Sequence, residues 1–269
     1  MSWQELDDGV FRRRYEFLDL NVGLILGETG GALIDTRASH REAQVLIDEI
    51  KMITDLPVRW VVNTHWHWDH TFGNHMFPDA SLYGHVESKR MLEQHGDRVR
   101  KHLATRMDGD RRQEVEEVTI RPPEIAFANS IQIDVGGRSI TGTFQGRGHT
   151  RTDVMVAISD SDVVFAGDLL EESGPPSMSE GYPLEWPVTL DLFEPITQGV
   201  VVPGHGDIMK AAAVETQREE LRAVATLAKE SHAAGLKQEH IDVSGGPFPE
   251  STMREAMRQA YKEIARGRK

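Results

Sequence analysis

Blocks of apolar residues separated by turn residues predict a strand–helix–strand unit in the first quarter of the chain. Apolar runs at 20–27 and 31–36 are divided by a glycine pair, which predicts a β meander. Ser39 and Glu42 have the spacing of a capping box, and the apolar positions after them recur at helical spacing. The apolar run at 58–63 predicts a buried strand. A helix is therefore expected to connect the meander to this strand.

The segment 87–117 carries many charges of both signs and few apolar residues. This composition is typical of an exposed helical insertion stabilised by surface ion pairs. A second interpretation is a cap over a functional site that selects the substrate, because long insertions often carry function. The two interpretations are compatible, and the sequence does not choose between them.

The remainder of the chain returns to short strands and ends in helices. Apolar runs separated by turns predict strands within 118–170 and at 199–203. The segment 171–188 is rich in Gly, Pro, Ser and Glu, which predicts a long loop. Helical periodicity predicts C-terminal helices within 209–269. With no low-complexity segment and no long linker, the sequence predicts a single domain over 1–269.

Composition narrows the class of protein. A chain of 269 residues with 39% hydrophobic residues can bury a sizeable core, and no apolar run is long enough to cross a membrane. The acidic N-terminus lacks a signal-peptide pattern, which predicts a cytoplasmic location. The absence of cysteine excludes disulfides and thiolate metal ligands. A formal net charge of −13 disfavours nucleic acid as the main partner. The expected partner is therefore a small-molecule substrate, and association into a homo-oligomer stays open.

A dense group of metal-binding residues follows the strand predicted at 58–63. His65, His67, Asp69 and His70 lie within six residues, in the pattern H-x-H-x-D-H. On extended backbone, residues two apart point the same way, so the first two histidines can bind one metal together. The other two follow where the chain turns and can face a second metal nearby. So many imidazoles beside a carboxylate would be poorly solvated without a cation, which predicts a metal site.

Three later residues share one setting with this group. His149, Asp168 and His205 each follow a short predicted strand, and each is preceded directly by a glycine. Glycine allows the backbone to turn sharply and to approach a ligand closely. Strand ends that carry loops are where α/β sheets build functional sites. One such residue alone indicates only a turn, but together with the His-rich loop they predict a shared site.

These motifs, taken in order, resemble the metallo-β-lactamase superfamily of hydrolases. They are H-x-H-x-D-H, Gly-His-Thr, Gly-Asp and Pro-Gly-His-Gly, within about Asn21 to Asp207. The resemblance implies an α/β fold, a four-layer αββα sandwich whose two similar halves share one site. It also implies a role for each residue: a first metal on His65, His67 and His149, a second on Asp69, His70 and His205, Asp168 as the bridge between them, and Asp35 as a support that orients the ligands.

The expected chemistry follows from these ligands. Imidazole and carboxylate suit Zn²⁺, and also Mn²⁺ or Fe²⁺. Two metal ions about 3.5–4 Å apart lower the pKa of a shared water to about 7 and polarise a substrate oxygen. The sequence therefore predicts a dinuclear metal-dependent hydrolase that uses a metal-bound hydroxide on an ester, thioester or lactone. Asp69 is expected to act both as a ligand and as the acceptor of the water's proton.

Other reactions on the same fold stay open. True metallo-β-lactamases generally lack the bridging aspartate and carry Cys or Ser in that region, so Asp168 and the absence of cysteine disfavour β-lactamase-type amide hydrolysis. The site also resembles those of thioesterases, lactonases and phosphodiesterases. The resembling lactonases carry a tyrosine just after the bridging aspartate, where this chain has Leu169. A mononuclear-iron persulfide dioxygenase is a further alternative.

A second set of candidates surrounds the metal loop. Trp66 and Trp68 occupy its variable positions, where they either contact substrate or pack the loop against the core. Further candidates for the substrate pocket come from the segments after the later ligands: Arg147, Arg151, Glu171, Tyr182 and Trp186.

Overall fold

The structure is a computed structural model that describes residues 2–267. The outermost parts of the expected domain 1–269 and of the expected C-terminal helices 209–269, namely Met1 and residues 268–269, lie outside the described residues. The strands are Gln4–Asp7 (β1), Val10–Arg14 (β2), Asn21–Leu26 (β3), Gly31–Ile34 (β4), Val58–Val62 (β5), Ser81–His85 (β6), Ile125–Phe127 (β7), Ser130–Asp134 (β8), Ser139–Thr143 (β9), Met155–Ile158 (β10), Ser161–Glu171 (β11), Val200–His205 (β12) and Met209–Lys210 (β13).

The helices fall between and after these strands. They are His40–Lys51 (α1), Trp68–Thr71 (α2), Val86–Ala104 (α3), Gly109–Glu116 (α4), Trp186–Phe193 (α5), Ala211–Ala233 (α6) and Glu250–Gly267 (α7). Single turns of 3₁₀ helix cover Phe17–Asp19, Asn74–Met76, Glu194–Ile196 and Gln238–His240. No helix within residues 2–267 combines the length and the hydropathy that a membrane crossing requires.

The strands form two sheets. The first has the order β1-β2-β3-β4-β5-β6-β7 and the second the order β13-β12-β11-β10-β9-β8. In the first sheet, β4 to β7 pair in parallel, with α1 connecting β4 to β5. In the second sheet β11 and β12 pair in parallel, whereas their other neighbours are antiparallel. Parallel pairing brings the carboxyl ends of β4, β5, β11 and β12 to sheet edges, where the His-rich loop follows β5 and where Asp168 and His205 lie within the last residues of β11 and β12.

Three apolar clusters define the layers. Side chains from both sheets, such as Ile25 and Val156, pack together between them. Helix α1 covers the outer face of the first sheet, where Leu46 packs with Leu24. Helices α5, α6 and α7 cover the outer face of the second sheet in a cluster that includes Leu221. The αββα sandwich is therefore confirmed, and burial of each such side chain contributes about 1.5–3 kcal/mol.

Several local predictions are confirmed and one boundary is wrong. The Ser39 side chain accepts a hydrogen bond from the Glu42 backbone N–H at 3.2 Å, as the capping box requires. Segment 87–117 is helical, as α3 and α4. The loop predicted at 171–188 is shorter, because β11 continues through Glu171 alongside β12 and α5 begins at Trp186.

Candidate metal centre

The His-rich loop has two conformations in succession. After β5, the chain bends at residues 64–66 and is extended at His67, whose φ and ψ are −63° and 152°. It then turns into the single helical turn of α2, which carries Asp69 and His70. The ring centroids of His65 and His67 lie 4.7 Å apart. The helical turn instead directs Asp69 and His70 towards a second group of candidate ligands. The local backbone therefore separates the motif into two pairs.

The first pair joins His149 and Asp168. The ligand atoms of these four residues lie within 4.8 Å of one another. His67 Nδ1 is 2.9 Å from His149 Nε2, and His149 Nε2 is 3.3 Å from Asp168 Oδ2. His65 Nε2 is 3.6 Å from the same carboxylate oxygen. Three imidazole nitrogens thus face one carboxylate.

The second pair joins His205. His70 Nε2 lies 3.3 Å from His205 Nε2, which in turn is 3.4 Å from Asp69 Oδ2. Asp168 reaches this group as well, with Oδ1 3.2 Å from His70 Nε2 and Oδ2 3.4 Å from His205 Nε2. All seven residues proposed from the sequence are therefore brought together, in two groups that share contact with Asp168. Their roles as metal ligands stay a prediction.

The donors fit divalent cations. Within residues 2–267, the buried atoms His65 Nε2 and Asp168 Oδ1 make no hydrogen bond of suitable geometry, although Oδ1 lies 3.2 Å from His70 Nε2. Burial, reinforced by the charge of His70, holds the pKa of His65 well below its ordinary value. Burial also lowers the pKa of His70, but Asp168, Asp69 and Asp35 outweigh it and raise that pKa well above the ordinary value. Buried nitrogen and oxygen donors arranged in this way suit ions such as Zn²⁺.

Two glycines allow the ligand strands to approach each other. A Cβ atom on Gly204 would lie 1.8 Å from Asp168 Oδ1, so a side chain there would displace the carboxylate. Gly167 has a φ of 53°, and a Cβ there would lie 2.7 Å from the Thr64 side chain. A side chain at either glycine, before Asp168 or before His205, would therefore collide with its neighbours, which agrees with the close approach that the sequence suggested.

Asp35 lies beneath the second group. Its Oδ1 accepts a hydrogen bond from the Thr64 backbone N–H at 2.8 Å, and its Oδ2 lies 2.8 Å from His70 Nδ1. This contact leaves His70 Nε2 facing the other ligands. Asp35 has a φ of 64°, a left-handed conformation that is uncommon outside glycine and costs about 1–3 kcal/mol. The backbone is strained at the residue that holds a candidate ligand.

His149 and His205 contact backbone carbonyl oxygens through Nδ1, the ring nitrogen that does not face the other candidate ligands. His149 Nδ1 lies 3.3 Å from the Ser177 carbonyl oxygen, and His205 Nδ1 lies 2.7 Å from the Leu18 carbonyl oxygen. An N–H donated from Nδ1 to each carbonyl leaves Nε2 as the free donor atom. Both Nε2 atoms face Asp168.

Glu180 was missed by the sequence analysis. Its Oε2 accepts a hydrogen bond from the Trp66 indole N–H at 3.0 Å and lies 3.7 Å from His67 Nε2. It thereby contacts the nitrogen of His67 that faces away from His149. Glu180 stands 114 positions after Trp66 in an irregular loop, so neither spacing nor periodicity could have identified it.

A cavity of about 650 Å³ opens over the ligands. Trp66, Trp68 and Glu171 line it, together with Glu180. Burial raises the pKa of Glu171 to about 8, and the charge of Asp168 adds to this shift. The proposed contacts of these residues with substrate stay a prediction.

The other pocket candidates lie elsewhere. Arg147, Arg151 and Tyr182 line a separate cavity of about 520 Å³ beside His85 and Arg266. Arg147 forms an ion pair with Glu185 and stacks over the Tyr182 ring at 4.2 Å. The structure does not bring these three residues to the cavity over the ligands.

Trp186 is fully buried and belongs to the core behind the ligands. Its indole N–H donates to the Leu169 carbonyl oxygen at 3.1 Å, and its ring lies 5.8 Å from that of His149. It therefore packs behind a candidate ligand.

Comparison with known proteins agrees with this architecture. The family model of the metallo-beta-lactamase superfamily matches residues 16–227. Metallo-beta-lactamase type 2 of Bacteroides fragilis is 22% identical over 204 residues, which covers 74% of each chain. A metallo-beta-lactamase from Pontibacter korlensis superposes with a TM-score of 0.64 at 19% identity, covering 82% of this chain and 98% of that one. The DIM-1 metallo-beta-lactamase gives 0.63 at 19% identity, covering 82% and 95%.

A sandwich fold with buried imidazole and carboxylate groups at the sheet edges is the architecture of a protein that can bind metal ions between its two sheets. Because the family model spans most of the chain, the protein belongs to the metallo-beta-lactamase superfamily. Members of this superfamily are metal-dependent hydrolases. The identities with solved structures are low, so those likenesses establish the fold alone.

Proposed function

We propose that this protein is a dinuclear metal-dependent hydrolase that cleaves an ester, thioester or lactone. The observation that carries the proposal is the position of Asp168, whose carboxylate contacts both groups of candidate ligands. A carboxylate between two sets of imidazoles is the arrangement that a bridged pair of ions requires. Zn²⁺ is the proposed ion because the donors are mainly histidine, and Mn²⁺ or Fe²⁺ would also suit them.

The position of each candidate ligand would determine which of the two ions it binds. His65, His67 and His149 would hold one ion, and Asp69, His70 and His205 the other, with Asp168 shared. Bound at these ligands, two divalent ions would acidify a water molecule and polarise the scissile carbonyl.

Asp69 is proposed both to bind the second ion and to receive the proton of the attacking water. Burial tends to raise the pKa of this carboxyl, but His70 and His205 outweigh that effect and lower it to about 2. Asp69 is therefore ionised at neutral pH, as a metal ligand must be, and its Oδ2 faces His70 and His205. Because the carboxyl lies among histidines on one side and borders the cavity on the other, it can serve as both ligand and acceptor.

The test is a hydrolysis panel on protein loaded with Zn²⁺ or Mn²⁺, with the metal content of each preparation measured. The panel contains a thioester, an acyl lactone, an aryl ester, an aryl phosphodiester and a cephalosporin. We expect turnover of the ester, thioester or lactone class, and a loss of about 100-fold or more in Asp69→Ala. Circular dichroism of the variant must match that of the wild type. Full activity in Asp69→Ala, or a protein that carries one iron and consumes oxygen with a persulfide, would overturn the proposal.

A further inference from the structure

We propose that the substrate of this centre has no anionic group in its acyl part and places an apolar group against helix α3. This inference rests on the proposed hydrolytic function and specifies the substrate that the site would accept. It is carried by two properties of the cavity over the ligands, namely the charges and the apolar side chains of its walls.

The charged groups around the cavity are carboxyl groups. Asp69, Asp168, Glu171 and Glu180 line it, and among the described residues its lining contains no lysine or arginine. Arg106 contacts His102 through Nη1 at 3.4 Å but does not line the cavity. Asp69 and Asp168 are candidate ligands, so Glu180 is the exposed carboxylate that an entering substrate meets outside them. The described lining therefore offers no basic side chain of lysine or arginine to bind an anionic group of a substrate.

An anionic substrate would therefore find no lysine or arginine side chain in this lining with which to form an ion pair. Carboxylates and phosphates in proteins are held by the fork of arginine or by the ammonium of lysine. Penicillins and cephalosporins carry a carboxylate, glutathione thioesters carry two, and phosphodiesters carry a negative phosphate. Each would approach Glu180, whose side chain is 42% exposed and ion-paired only at 3.7 Å with His67. The cavity charge therefore disfavours these classes and favours uncharged esters and lactones.

One wall of the cavity is apolar and comes partly from the charged insertion. Val99, His102 and Leu103 line the cavity from α3, at the i, i+3 and i+4 spacing that places side chains on one helix face. Leu18 and Trp68 line it as well, and Leu18 is 40% exposed despite its hydrophobic side chain. The few apolar residues of this part of the insertion are therefore turned towards the site.

This wall is held in place by packing around Phe17. The Trp68 ring lies 6.3 Å from that of Phe17, and the Arg111 guanidinium stacks over the Phe17 ring at 3.8 Å. Arg111 belongs to α4 and also pairs with the buried Glu42 of α1. The insertion is thus fixed to the body of the protein, and its apolar face is a fixed wall.

The other wall offers hydrogen bonds. Ser173, Ser177 and Ser179 line it together with Glu180. A substrate with a polar ester or lactone group beside an aliphatic or aromatic acyl chain matches both walls. The acyl chain would bury against α3, and each added methylene in contact with the wall should raise kcat/KM roughly threefold to fourfold.

The experiment compares two esters of equal length on the Zn²⁺-loaded wild type. 4-Nitrophenyl hexanoate ends in a methyl group, and the mono-4-nitrophenyl ester of adipic acid ends in a carboxylate. We expect kcat/KM at least about 10-fold higher for the hexanoate, and a rise from acetate through butyrate to hexanoate. Equal or faster turnover of the adipate ester would overturn the inference.

A pair of charge variants locates the effect. Leu103→Lys places an ammonium group on the apolar wall, and we expect it to lower turnover of the hexanoate and raise that of the adipate ester. Gln94→Lys adds the same charge to an exposed position of α3 outside the cavity lining and should leave the ratio unchanged. An unchanged ratio in both variants would contradict the location on α3.

A binding assay separates failure of the inference from failure of the proposed function. Hexananilide and the monoanilide of adipic acid are amide analogues of the two esters, and tryptophan fluorescence can follow their binding. Preference for hexananilide without any ester turnover would support the inference and reject the hydrolytic function. Ester turnover without preference in either assay would reject the inference and retain the function. Failure of both anilides and both esters would reject the two together.

Discussion

The Nδ1 atom of His70 lies 2.8 Å from Oδ2 of Asp35, in the buried region under the second group of candidate ligands. The same carboxylate accepts the backbone N–H of Thr64 at 2.8 Å, so it connects β4 to the start of the His-rich loop. A carboxylate in this position fixes the ring orientation and the tautomer of a ligating histidine.

Asp35→Ala should weaken binding of the second metal ion. We expect an affinity about 10–100-fold lower, because His70 loses the partner that orients its ring. The buried Thr64 N–H would also lose its acceptor, which should cost about 1–3 kcal/mol of the free energy of unfolding. Competition with a chromogenic chelator measures the first effect and urea unfolding the second. Asp55→Ala, at an exposed position, is the control, and equal metal affinity in the two variants would reject the role of Asp35.

Glu180 should support the first metal ion through His67. Its Oε2 lies 3.7 Å from His67 Nε2, so the charge favours a proton on that nitrogen and leaves Nδ1 to the metal. We expect Glu180→Ala to lower the affinity of this ion by about 10–100-fold, and Glu180→Gln, which keeps an acceptor oxygen, by less. The visible spectrum of the Co²⁺-substituted protein should change in the alanine variant.

The control for Glu180 is Glu93→Ala, which removes an exposed carboxylate from α3. A spectrum and an affinity unchanged in Glu180→Ala would show that His67 needs no carboxylate partner. A loss of the same size in Glu93→Ala would indicate a general effect of charge.

Gly204→Ala should disrupt the shared carboxylate. The added Cβ would lie 1.8 Å from Asp168 Oδ1, and either that side chain or the strand must move. We expect both metal ions to be bound more weakly and the free energy of unfolding to fall by roughly 1–3 kcal/mol. Gly245→Ala is the matched control, because a Cβ there would meet nothing within 4 Å. Metal content and urea unfolding measure the outcome, and equal results for the two variants would contradict it.

Glu263 should make stability depend on pH. Burial raises the pKa of this carboxyl from 4.5 to about 7, although the Leu184 N–H donates to Oε2 at 3.0 Å. A pKa raised in the folded state means that the folded protein prefers the protonated form. The contribution is therefore complete below pH 4.5 and is lost as pH rises towards 7.

Glu263→Gln should remove this dependence. Above pH 7 we expect the variant to be more stable than the wild type by roughly 1–2 kcal/mol, a value reduced because solvent screens a partly exposed group. At pH 4.5 the two should be equal. Melting temperatures across this range measure the difference, with the exposed Glu239→Gln as the control. A constant difference at every pH would reject the assignment to Glu263.

The candidate ligands could be proposed from the sequence because their signals are local. The His-rich loop is a short motif after an apolar run, and a glycine directly precedes His149, Asp168 and His205. The order of these motifs along the chain resembles a known family, which gave the fold and the division into two groups. Element boundaries next to the site were less accurate, because β11 is extended by its pairing with β12 rather than by its own composition.

The contacts of Glu180 and of α3 could not be predicted in this way. Glu180 meets Trp66 and His67 through a loop without periodicity, so only the tertiary structure brings them together. Val99 and Leu103 face the cavity because α3 packs beside the site, whereas the charged composition of 87–117 left both an exposed insertion and a cap over the site open. Conversely, Arg147 and Arg151 lie near His149 in sequence, yet their side chains line another cavity.

The candidate ligands come from both sheets of the sandwich. His65 to His70 follow β5 of the first sheet, whereas Asp168 and His205 belong to β11 and β12 of the second. Ions held between them would add a link between two layers that also meet through packing, such as Phe165 against Gly23, and through hydrogen bonds, such as that from Asn21 to the Pro203 carbonyl oxygen. Removal of the ions through the cavity over the ligands would remove this link between the layers. The two sheets should therefore separate at a higher temperature in the metal-loaded protein than in the chelated protein, because ions that bind only the folded state stabilise it.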